Sequence, residues 1–218
     1  GVGRGTGGLA QDGTGVVILT GANSYAGTPV VNAGTLLVNG DQSAATGTTT
    51  ANSGATLGGE GIIGGDVVIA SGASLNPGLA DATPGVLTIN GDLSLAAGAT
   101  MNYDFGQANV IGGAFNDLID VAGDLSLDGT LNVATSAGGS FVPGIYRVLN
   151  YGGTLGGVGL TLGATPSGTD FYVQTSVAQQ VNLLNTSGLA LRFWDGAGGG
   201  RNDGTINGGD GIWQNTSG

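Results

Sequence analysis

A glycine-centred phrase that returns five times, at an interval near twenty residues, constrains the fold more than any other feature. In each copy a small residue or threonine follows the glycine, and an apolar residue follows soon after: AGTLLV (33–38), SGATLGG (53–59), SGASLNPG (71–78), AGATMNY (97–103) and DGTLNV (128–133). The glycines of the five copies are Gly34, Gly54, Gly72, Gly98 and Gly129. Imperfect repetition at such a period is typical of a solenoid.

The segments between these glycines have the pattern of short β-strands. Apolar residues alternate with a period of two, as in the pairs Val17/Leu19, Leu36/Val38, Val67/Ile69, Leu87/Ile89, Leu93/Leu95, Leu125/Leu127 and Leu131/Val133. A Gly-Asp pair immediately precedes a strand three times, in GGDVVI (64–69), NGDLSL (90–95) and AGDLSL (122–127). With 48 glycines in 218 residues, helices are disfavoured, because each interior glycine weakens a helix by roughly 1 kcal/mol relative to alanine.

Two all-β architectures compete for such a pattern. A sandwich or barrel of hairpins favours long strands joined by two-residue turns, whereas these phrases recur only after a whole coil. The sequence therefore predicts a parallel β-helix (a β-solenoid) of about nine or ten coils, with roughly 20 to 25 residues in each. Glycines should supply positive φ at the corners, and Asn or Thr should form ladders outside. The residues predicted to point into the lumen are Leu36, Val38, Leu93, Leu95, Leu125 and Leu127.

Charge and composition exclude several classes of function. Fifteen acidic residues against four arginines (Arg4, Arg147, Arg192, Arg201) give a net charge of −11, which argues against nucleic acid and anionic lipid surfaces as partners. The absence of cysteine and histidine removes thiol and Ser-His-Asp catalysis, disulfides and nearly all zinc or copper sites. No run of about 20 apolar residues is present to span a membrane as a helix.

One stretch resembles a known family. Residues 17–38, VILTGANSYAGTPVVNAGTLLV, resemble the passenger-associated repeat of Gram-negative autotransporters, in which a strand is followed by Thr-Gly-x-Asn-x-Tyr, a glycine turn, a valine strand and Gly-Thr-Leu-x-Val. The matching positions are Thr20, Gly21, Asn23, Tyr25, Gly27, Val31, Gly34, Thr35, Leu36 and Val38. Thr28-Pro29 departs from the pattern, and the proline removes a ladder donor there. The phrases that follow resemble the usual continuation up to about residue 133.

The resemblance implies a fold, a location and a domain organisation. Passengers of this family are right-handed parallel β-helices that a C-terminal barrel, absent from this chain, carries to the cell surface or the medium. Residues 1–187 should form the β-helical passenger segment, with wider coils or a small hairpin over 134–182, and residues 188–218 should open a further module. Because patterned sequence reaches both ends, we expect an internal piece of a longer protein, with adjoining coils of the same chain as partners.

Three groups of residues are candidates for chemistry. GGAFNDLID (112–120) partly matches the calcium-binding nonapeptide, but Phe115 replaces a glycine and one copy supplies too few oxygens. Asp117, Asp120, Asp124 and Asp128 could form the acid cluster of a polysaccharide hydrolase or lyase, but such a cluster requires two carboxylates about 5 to 10 Å apart in a cleft. The strand pattern instead turns Asp120 and Asp124 outward or to corners, and Arg147 falls in a different region. In the stretch 112–120 we expect a Gly-rich corner with solvent-facing acids rather than a calcium site.

The aromatic residues are the third group. They could stack on sugar rings, although in a solenoid such residues more often fill the lumen or cover a turn; they are Tyr25, Tyr103, Phe105, Trp194 and Trp213. We therefore predict no catalytic, cofactor-binding or metal-binding residue and no cofactor. The functional hypothesis is a non-enzymatic stalk or adhesin scaffold that meets a host or neighbouring-cell surface. The alternatives are a self-associating surface and a β-helical carbohydrate-active enzyme.

Overall fold

The structure is a computed structural model of the 218-residue chain. It describes residues 4–5, 7–79, 83–166 and 170–189, and the regular secondary structure in these ranges consists of β-strands. None of the described residues belongs to a helix long and apolar enough to cross a membrane.

Twenty-three strands follow one another along the residues that the structure describes. The first twelve are β1 (Arg4–Gly5), β2 (Ala10–Gln11), β3 (Val16–Leu19), β4 (Ser24–Tyr25), β5 (Val30–Val31), β6 (Thr35–Val38), β7 (Asp41–Gln42), β8 (Thr49–Ala51), β9 (Thr56–Gly59), β10 (Ile62–Ile63), β11 (Val67–Ile69) and β12 (Ser74–Pro77). The others are β13 (Val86–Ile89), β14 (Leu93–Leu95), β15 (Thr100–Phe105), β16 (Leu118–Val121), β17 (Leu125–Leu127), β18 (Thr130–Thr135), β19 (Gly144–Tyr151), β20 (Leu155–Gly156), β21 (Thr161–Leu162), β22 (Phe171–Gln174) and β23 (Gln180–Asn185).

From β5 to β22 every third strand joins the same sheet, so the chain winds as a parallel β-helix. Sheet I has the order β2-β5-β8-β11-β14-β17-β20, and sheet II has the order β3-β6-β9-β12-β15-β18-β21. Sheet III has the order β7-β10-β13-β16-β19-β23-β22, and a separate pair joins β1 to β4. Pairing is parallel throughout sheets I and II and from β7 to β19 in sheet III. The predicted all-β solenoid is confirmed.

The core is the lumen of this coil, where equivalent residues of successive coils stack. Leu93, for example, pairs in register with Val67 on one side and Leu125 on the other. Burial of such a side chain stabilises the fold by about 1.5–3 kcal/mol. The predicted lumenal residues are confirmed, since all are at most 2% exposed: Leu36, Val38, Leu93, Leu95, Leu125 and Leu127.

The corner between sheets I and II contains the repeated glycines. Gly34, Gly54, Gly72 and Gly98 have φ of 66°, 84°, 81° and 83°, which confirms the predicted positive-φ corners. The last three occupy the third position of four-residue turns closed by a backbone hydrogen bond, as in a type II turn. Gly129 differs, because only two residues separate β17 from β18 there. It lacks positive φ, and a Cβ at this position would lie 2.5 Å from Leu95 Cδ2.

This corner provides a first test. We expect Gly72→Ala to lower the free energy of unfolding by about 1–2 kcal/mol, because alanine is strained at φ +81° and its Cβ would lie 2.5 Å from Ser53 Oγ. Ser71→Ala, in the same turn, is the matched control and should change little. Urea unfolding followed by circular dichroism measures both, and equal stability of the two variants would contradict the assignment.

The later coils are wider than predicted. Leu36 pairs in register with Leu57 in an early coil, whereas Met101 pairs with Leu131 in a later one, so the chain between partners lengthens along the rod. The extra residues fall mainly at the corner from sheet II to sheet III. Short connections make this corner at 39–40 and at 60–61, and much longer ones make it in the later coils. We call the described residues of these later connections the corner loops: 78–79, 83–85, 106–117, 136–143, 163–166 and 170.

The end of the described coil changes strand direction. Within residues 134–182, β20 and β21 continue the parallel sheets, whereas β22 and β23 form an antiparallel hairpin whose β23 pairs antiparallel with β19. Arg147 on β19 docks this hairpin, since its guanidinium donates to Asn182 at 2.8 Å and also to Gln180. Residues 1–187 form one compact unit. The predicted further module, residues 188–218, lies almost entirely outside the described residues and stays a prediction.

Candidate functional site

The four acids singled out from the sequence lie on different parts of the coil. Asp117 ends a corner loop, Asp120 lies on the outer face of sheet III, Asp124 lies at the corner from sheet III to sheet I, and Asp128 lies at the corner from sheet I to sheet II. Across the described ranges, no three acidic residues come together in a way that could hold a metal ion. These four acids therefore lie on separate corners and faces of the coil and do not form one cluster.

Three of these acids are tied to the next coil by hydrogen bonds. Asp124 Oδ1 accepts the Thr154 backbone N–H at 2.6 Å and the Thr154 hydroxyl at 3.0 Å, and these bonds lower the pKa of Asp124. Asp128 accepts the Val158 N–H at 2.6 Å, and Asp120 accepts the Asn150 amide at 2.6 Å. Carboxylates used in this way hold coils in register.

The repeated Gly-Asp phrase has the same structural role. Asp66 Oδ1 accepts the backbone N–H of Asp92 at 3.0 Å, and Asp92 Oδ1 accepts that of Asp124 at 2.7 Å. The column continues to Thr154, which replaces the aspartate in the next coil. Each exposed carboxylate thus bonds a backbone donor of the next coil, and the phrase recurs because the coil does.

Arg147 is closer to the acids than the sequence suggests. It was predicted to fall in a different region, but β19 lies directly beside β16 in sheet III. The guanidinium donates to Asn150 Oδ1, and the Asn150 amide in turn donates to Asp120. The sequence could not show this proximity, because Asp120 and Arg147 are separated by almost the whole of one wide coil.

Asp117 contradicts the prediction that the acids of the calcium-like stretch (112–120) face solvent. Its side chain is 1% exposed, and its two oxygens accept the N–H groups of Gly85 at 2.8 Å and Asp104 at 2.7 Å. Burial raises the pKa of Asp117 to about 7, although the two backbone donors lower it. In the calcium-like stretch, this carboxylate clamps the end of the corner loop to Gly85 and Asp104.

The neighbouring amide completes the clamp. Asn116 is buried, and its oxygen accepts the N–H groups of Gly106 and Gln107, both at 3.0 Å. Its nitrogen donates to the carbonyls of Gln107 and Val110, both at 2.8 Å. One side chain therefore satisfies four backbone groups of the loop 106–117, which explains how an irregular connection is held in a single shape.

The aromatic residues mostly fill the coil. Tyr103 is 1% exposed and donates its hydroxyl to the Val148 carbonyl at 2.9 Å, and Phe105 is fully buried against Tyr103 and Tyr146. Neither ring can stack on a ligand from solvent. Tyr25, in β4, is partly buried. Trp194 and Trp213 lie outside the described residues.

The outer face of sheet II carries a groove that was not predicted from the sequence. It crosses the strands from β3 to β18, and it contains a column of asparagines, Asn76, Asn102 and Asn132. Asn102 Nδ2 donates to Asn76 Oδ1 at 2.7 Å, and Asn132 Nδ2 donates to Asn102 Oδ1 at 2.9 Å. The signal was present, since an asparagine follows the Leu or Met of the repeated phrase in three successive copies.

Hydroxyl side chains form a second column beside the asparagines, and together the two columns confirm the predicted outer ladders. The register aligns the column across six strands, and Ser74 and Thr100 share a hydrogen bond of 2.9 Å, as Thr130 and Thr161 do at 3.1 Å. Its members are Thr35, Thr56, Ser74, Thr100, Thr130 and Thr161.

The stretch that resembles the passenger repeat folds as one turn of this coil. Its Asn23 is buried and donates to Gln42 Oε1 at 2.7 Å, while Gln42 donates to the Gly21 carbonyl at 2.6 Å. Pro29 comes immediately before β5, and its carbonyl accepts the Thr50 N–H at 2.9 Å, so the departure does not interrupt the ladder. The buried Asn23 of this stretch therefore fastens its coil to the next one through Gln42.

Comparison with known proteins agrees with this fold. The passenger-associated-transport-repeat family matches residues 9–38, which span β2 to β6. The chain is also similar to the adhesin BmaC autotransporter of Brucella suis biovar 1 (strain 1330), with 61% identity over 211 residues. That alignment covers 96% of this chain and 6% of the relative, so the chain spans a small part of the relative's length. The chain is an autotransporter passenger segment, built as a parallel β-helix.

Proposed function

We propose that this chain is a non-enzymatic β-helical segment of a surface-displayed adhesin of a Gram-negative bacterium. The observation that carries the proposal is the confinement of irregular sequence to one corner of an otherwise regular rod. A stack of parallel coils holds its shape through contacts between neighbours, and insertions at one corner place loops on one side of it. Similarity to a passenger named as an adhesin supports the same role.

The corner loops and the strand beside them give this side its surface chemistry. Ile111 and Val142, in two successive loops, are 57% and 44% exposed, and Ile145 at the start of β19 is 48% exposed. Asn109 ties the first loop to β19, because its N–H donates to the Ile145 carbonyl at 2.8 Å and its side chain accepts the Ile145 N–H. These three residues, on one side of the coil and held there by backbone hydrogen bonds, are therefore the candidate contact surface.

The arrangement of the acids supports a role without catalysis. Glycoside hydrolysis requires two carboxylates facing one bond, whereas the candidate acids of this coil lie at separate corners and faces. Each of those discussed accepts hydrogen bonds that hold coils or loops together. This use of the carboxylates favours a structural role for the acids over the enzyme alternative.

Surface display of the chain tests the proposal. The whole chain is fused to the translocating barrel of a laboratory autotransporter, and intact cells are assayed for antibody labelling and for adhesion to epithelial monolayers. We expect labelling of intact cells and a several-fold increase in adhesion over cells displaying the barrel alone. Replacing Ile111 and Ile145 together by serine should reduce adhesion without reducing labelling.

An exposed apolar residue outside the corner loops and outside the groove of sheet II supplies the control. Val158, at the corner from sheet I to sheet II, is 91% exposed. Its replacement by serine should leave adhesion unchanged. Labelling without any gain in adhesion would refute the adhesive role, and hydrolysis of a polysaccharide by the displayed chain would refute the non-enzymatic one.

A further inference from the structure

We propose that the groove on the outer face of sheet II binds an extended, uncharged glycan chain lying along the axis of the coil. This inference adds a ligand class to the proposed adhesin. The inference rests on the proposed function only for the place where the protein encounters the glycan, which is the cell surface. The groove itself is a property of the folded chain.

The shape of the groove favours a linear ligand. The groove runs across the strands, parallel to the coil axis, from Val16 on β3 to Ala164 after β21, and encloses about 480 Å³. Corner-loop residues, including Leu79, wall one side of it. In the column of outward-pointing residues that contains Asn76, Asn102 and Asn132, the preceding coil has Gly58, which pairs with Asn76. A Cβ at Gly58 would lie 2.1 Å from the Asn76 carbonyl oxygen, so this position has no side chain. A long, shallow channel of this kind suits a linear polymer better than a compact ligand.

The asparagine column has hydrogen-bonding capacity to spare. Each amide has two N–H donors and two acceptor lone pairs. Within the ladder Asn102 uses one donor and one acceptor, so a second donor and a second acceptor remain. Successive coils repeat at about 4.8 Å, which is similar to the rise of one sugar unit in an extended polysaccharide. Hydroxyl groups of successive sugars can therefore meet successive amides.

The charge of the groove favours an uncharged ligand. Among the described residues that line the groove, Asp104 is the charged one, and no arginine reaches it. The chain as a whole carries a net charge of −11. An anionic glycan would thus approach an acidic protein with no cation to receive it. An uncharged glycan requires only neutral donors, neutral acceptors and some apolar surface, all of which the groove has.

The pairing of the strands argues against an extended peptide as the occupant. A peptide that adds to a sheet does so through free backbone groups at an edge strand. The groove lies on the face of sheet II, where the backbone groups of β6 to β18 already pair with neighbouring strands. Recognition on this face must therefore use side chains, and these are mainly amides and hydroxyls.

The test uses the folded chain with defined oligosaccharides. Cellohexaose and chitohexaose are the uncharged probes, and hexagalacturonate is the anionic comparison. Calorimetry should show binding of at least one uncharged probe at millimolar concentration or below, and nuclear magnetic resonance should show shifts of the Asn76, Asn102 and Asn132 side-chain amides. Hexagalacturonate should bind at least about tenfold more weakly.

Matched variants separate the groove from general effects on the ladder. Asn102→Ala should weaken binding about tenfold, through the loss of one or two hydrogen bonds to the glycan. Asn32→Ala removes equivalent ladder bonds, to Asp12 and Asn52, at a corner away from the groove, and should not change the affinity. Thr56→Val retains the shape of the groove and removes one hydroxyl, so a smaller loss is expected from a variant that keeps its fold.

Three results would overturn the inference: no binding of either uncharged probe, equal or stronger binding of the anionic probe, or equal weakening by Asn102→Ala and Asn32→Ala. These measurements do not depend on display or adhesion. A negative result would therefore leave the proposed surface role standing, whereas a failure of display would not affect the groove.

Discussion

Leu93→Asp is expected to lower the free energy of unfolding by several kcal/mol, enough to leave much of the chain unfolded at room temperature. Leu93 is 1% exposed and stacks between Val67 and Leu125 in the lumen. An aspartate there would leave a charge without a partner in a dry stack and would also remove the packing of the leucine. Neighbouring coils depend on each other's contacts, so the damage should spread along the rod.

Ser94→Asp is the matched control for this change. Ser94 is the next residue of β14, but its side chain points to the outer face and is half-buried. The same new charge placed one residue further along should therefore cost about 1 kcal/mol or less. Urea unfolding followed by far-ultraviolet circular dichroism compares the two. Similar losses for both variants would contradict the inward orientation of Leu93, and a larger loss for Ser94→Asp would mean that the two faces of β14 had been exchanged.

The sequence was sufficient for the regular part of the coil because the regular part repeats. The alternation of Leu93 and Leu95 fixes the inward face, and a one-residue shift in register would turn both outward. Gly72 and Gly98 mark the corners, because a turn with positive φ at its third position strongly favours glycine. These are local requirements, and each coil repeats them.

The irregular part could not be read in the same way. Asp117 and Asn116 belong to no repeated phrase of the sequence. Their partners, such as Gly85 and Asp104, belong to other coils or to the far end of a loop. Nothing local distinguishes a buried aspartate of this kind from a solvated one. The asparagine ladder lies between these two cases. The asparagine after the Leu or Met of the repeated phrase is visible in the sequence, but the changing length of the coils leaves it without a constant period.

The second large effect is expected at Asp117. Replacement by asparagine should lower the free energy of unfolding by about 1–3 kcal/mol at pH 5, because both oxygens of the carboxyl group accept backbone N–H groups. An asparagine amide can accept only one of these bonds, and its own N–H₂ would face the other donor. Asp128→Asn is the control, since Asp128 accepts a single bond, from Val158, in an exposed setting.

The same residue should make the difference between wild type and variant depend on pH. Burial raises the pKa of Asp117 to about 7, whereas an unfolded aspartate titrates near 3.9. The folded state therefore binds more protons than the unfolded state between about pH 4 and pH 7, and the stability that Asp117 contributes falls as the pH rises through this window. The titratable neighbours of Asp117 are Asp104 and the buried Tyr103, and Asp120 in turn interacts with Tyr103. All three remain in the variant.

Denaturant unfolding at several pH values between 4 and 8 measures this dependence. Wild type should exceed Asp117→Asn most at the acidic end, and the difference should shrink by about a few kcal/mol towards pH 8. The remaining acids repel one another increasingly as the pH rises, but they do so in both proteins and so cancel in the difference. Parallel pH profiles for wild type and Asp117→Asn would mean that this carboxylate is already ionised in the folded chain throughout the range. The two backbone donors would then outweigh its burial.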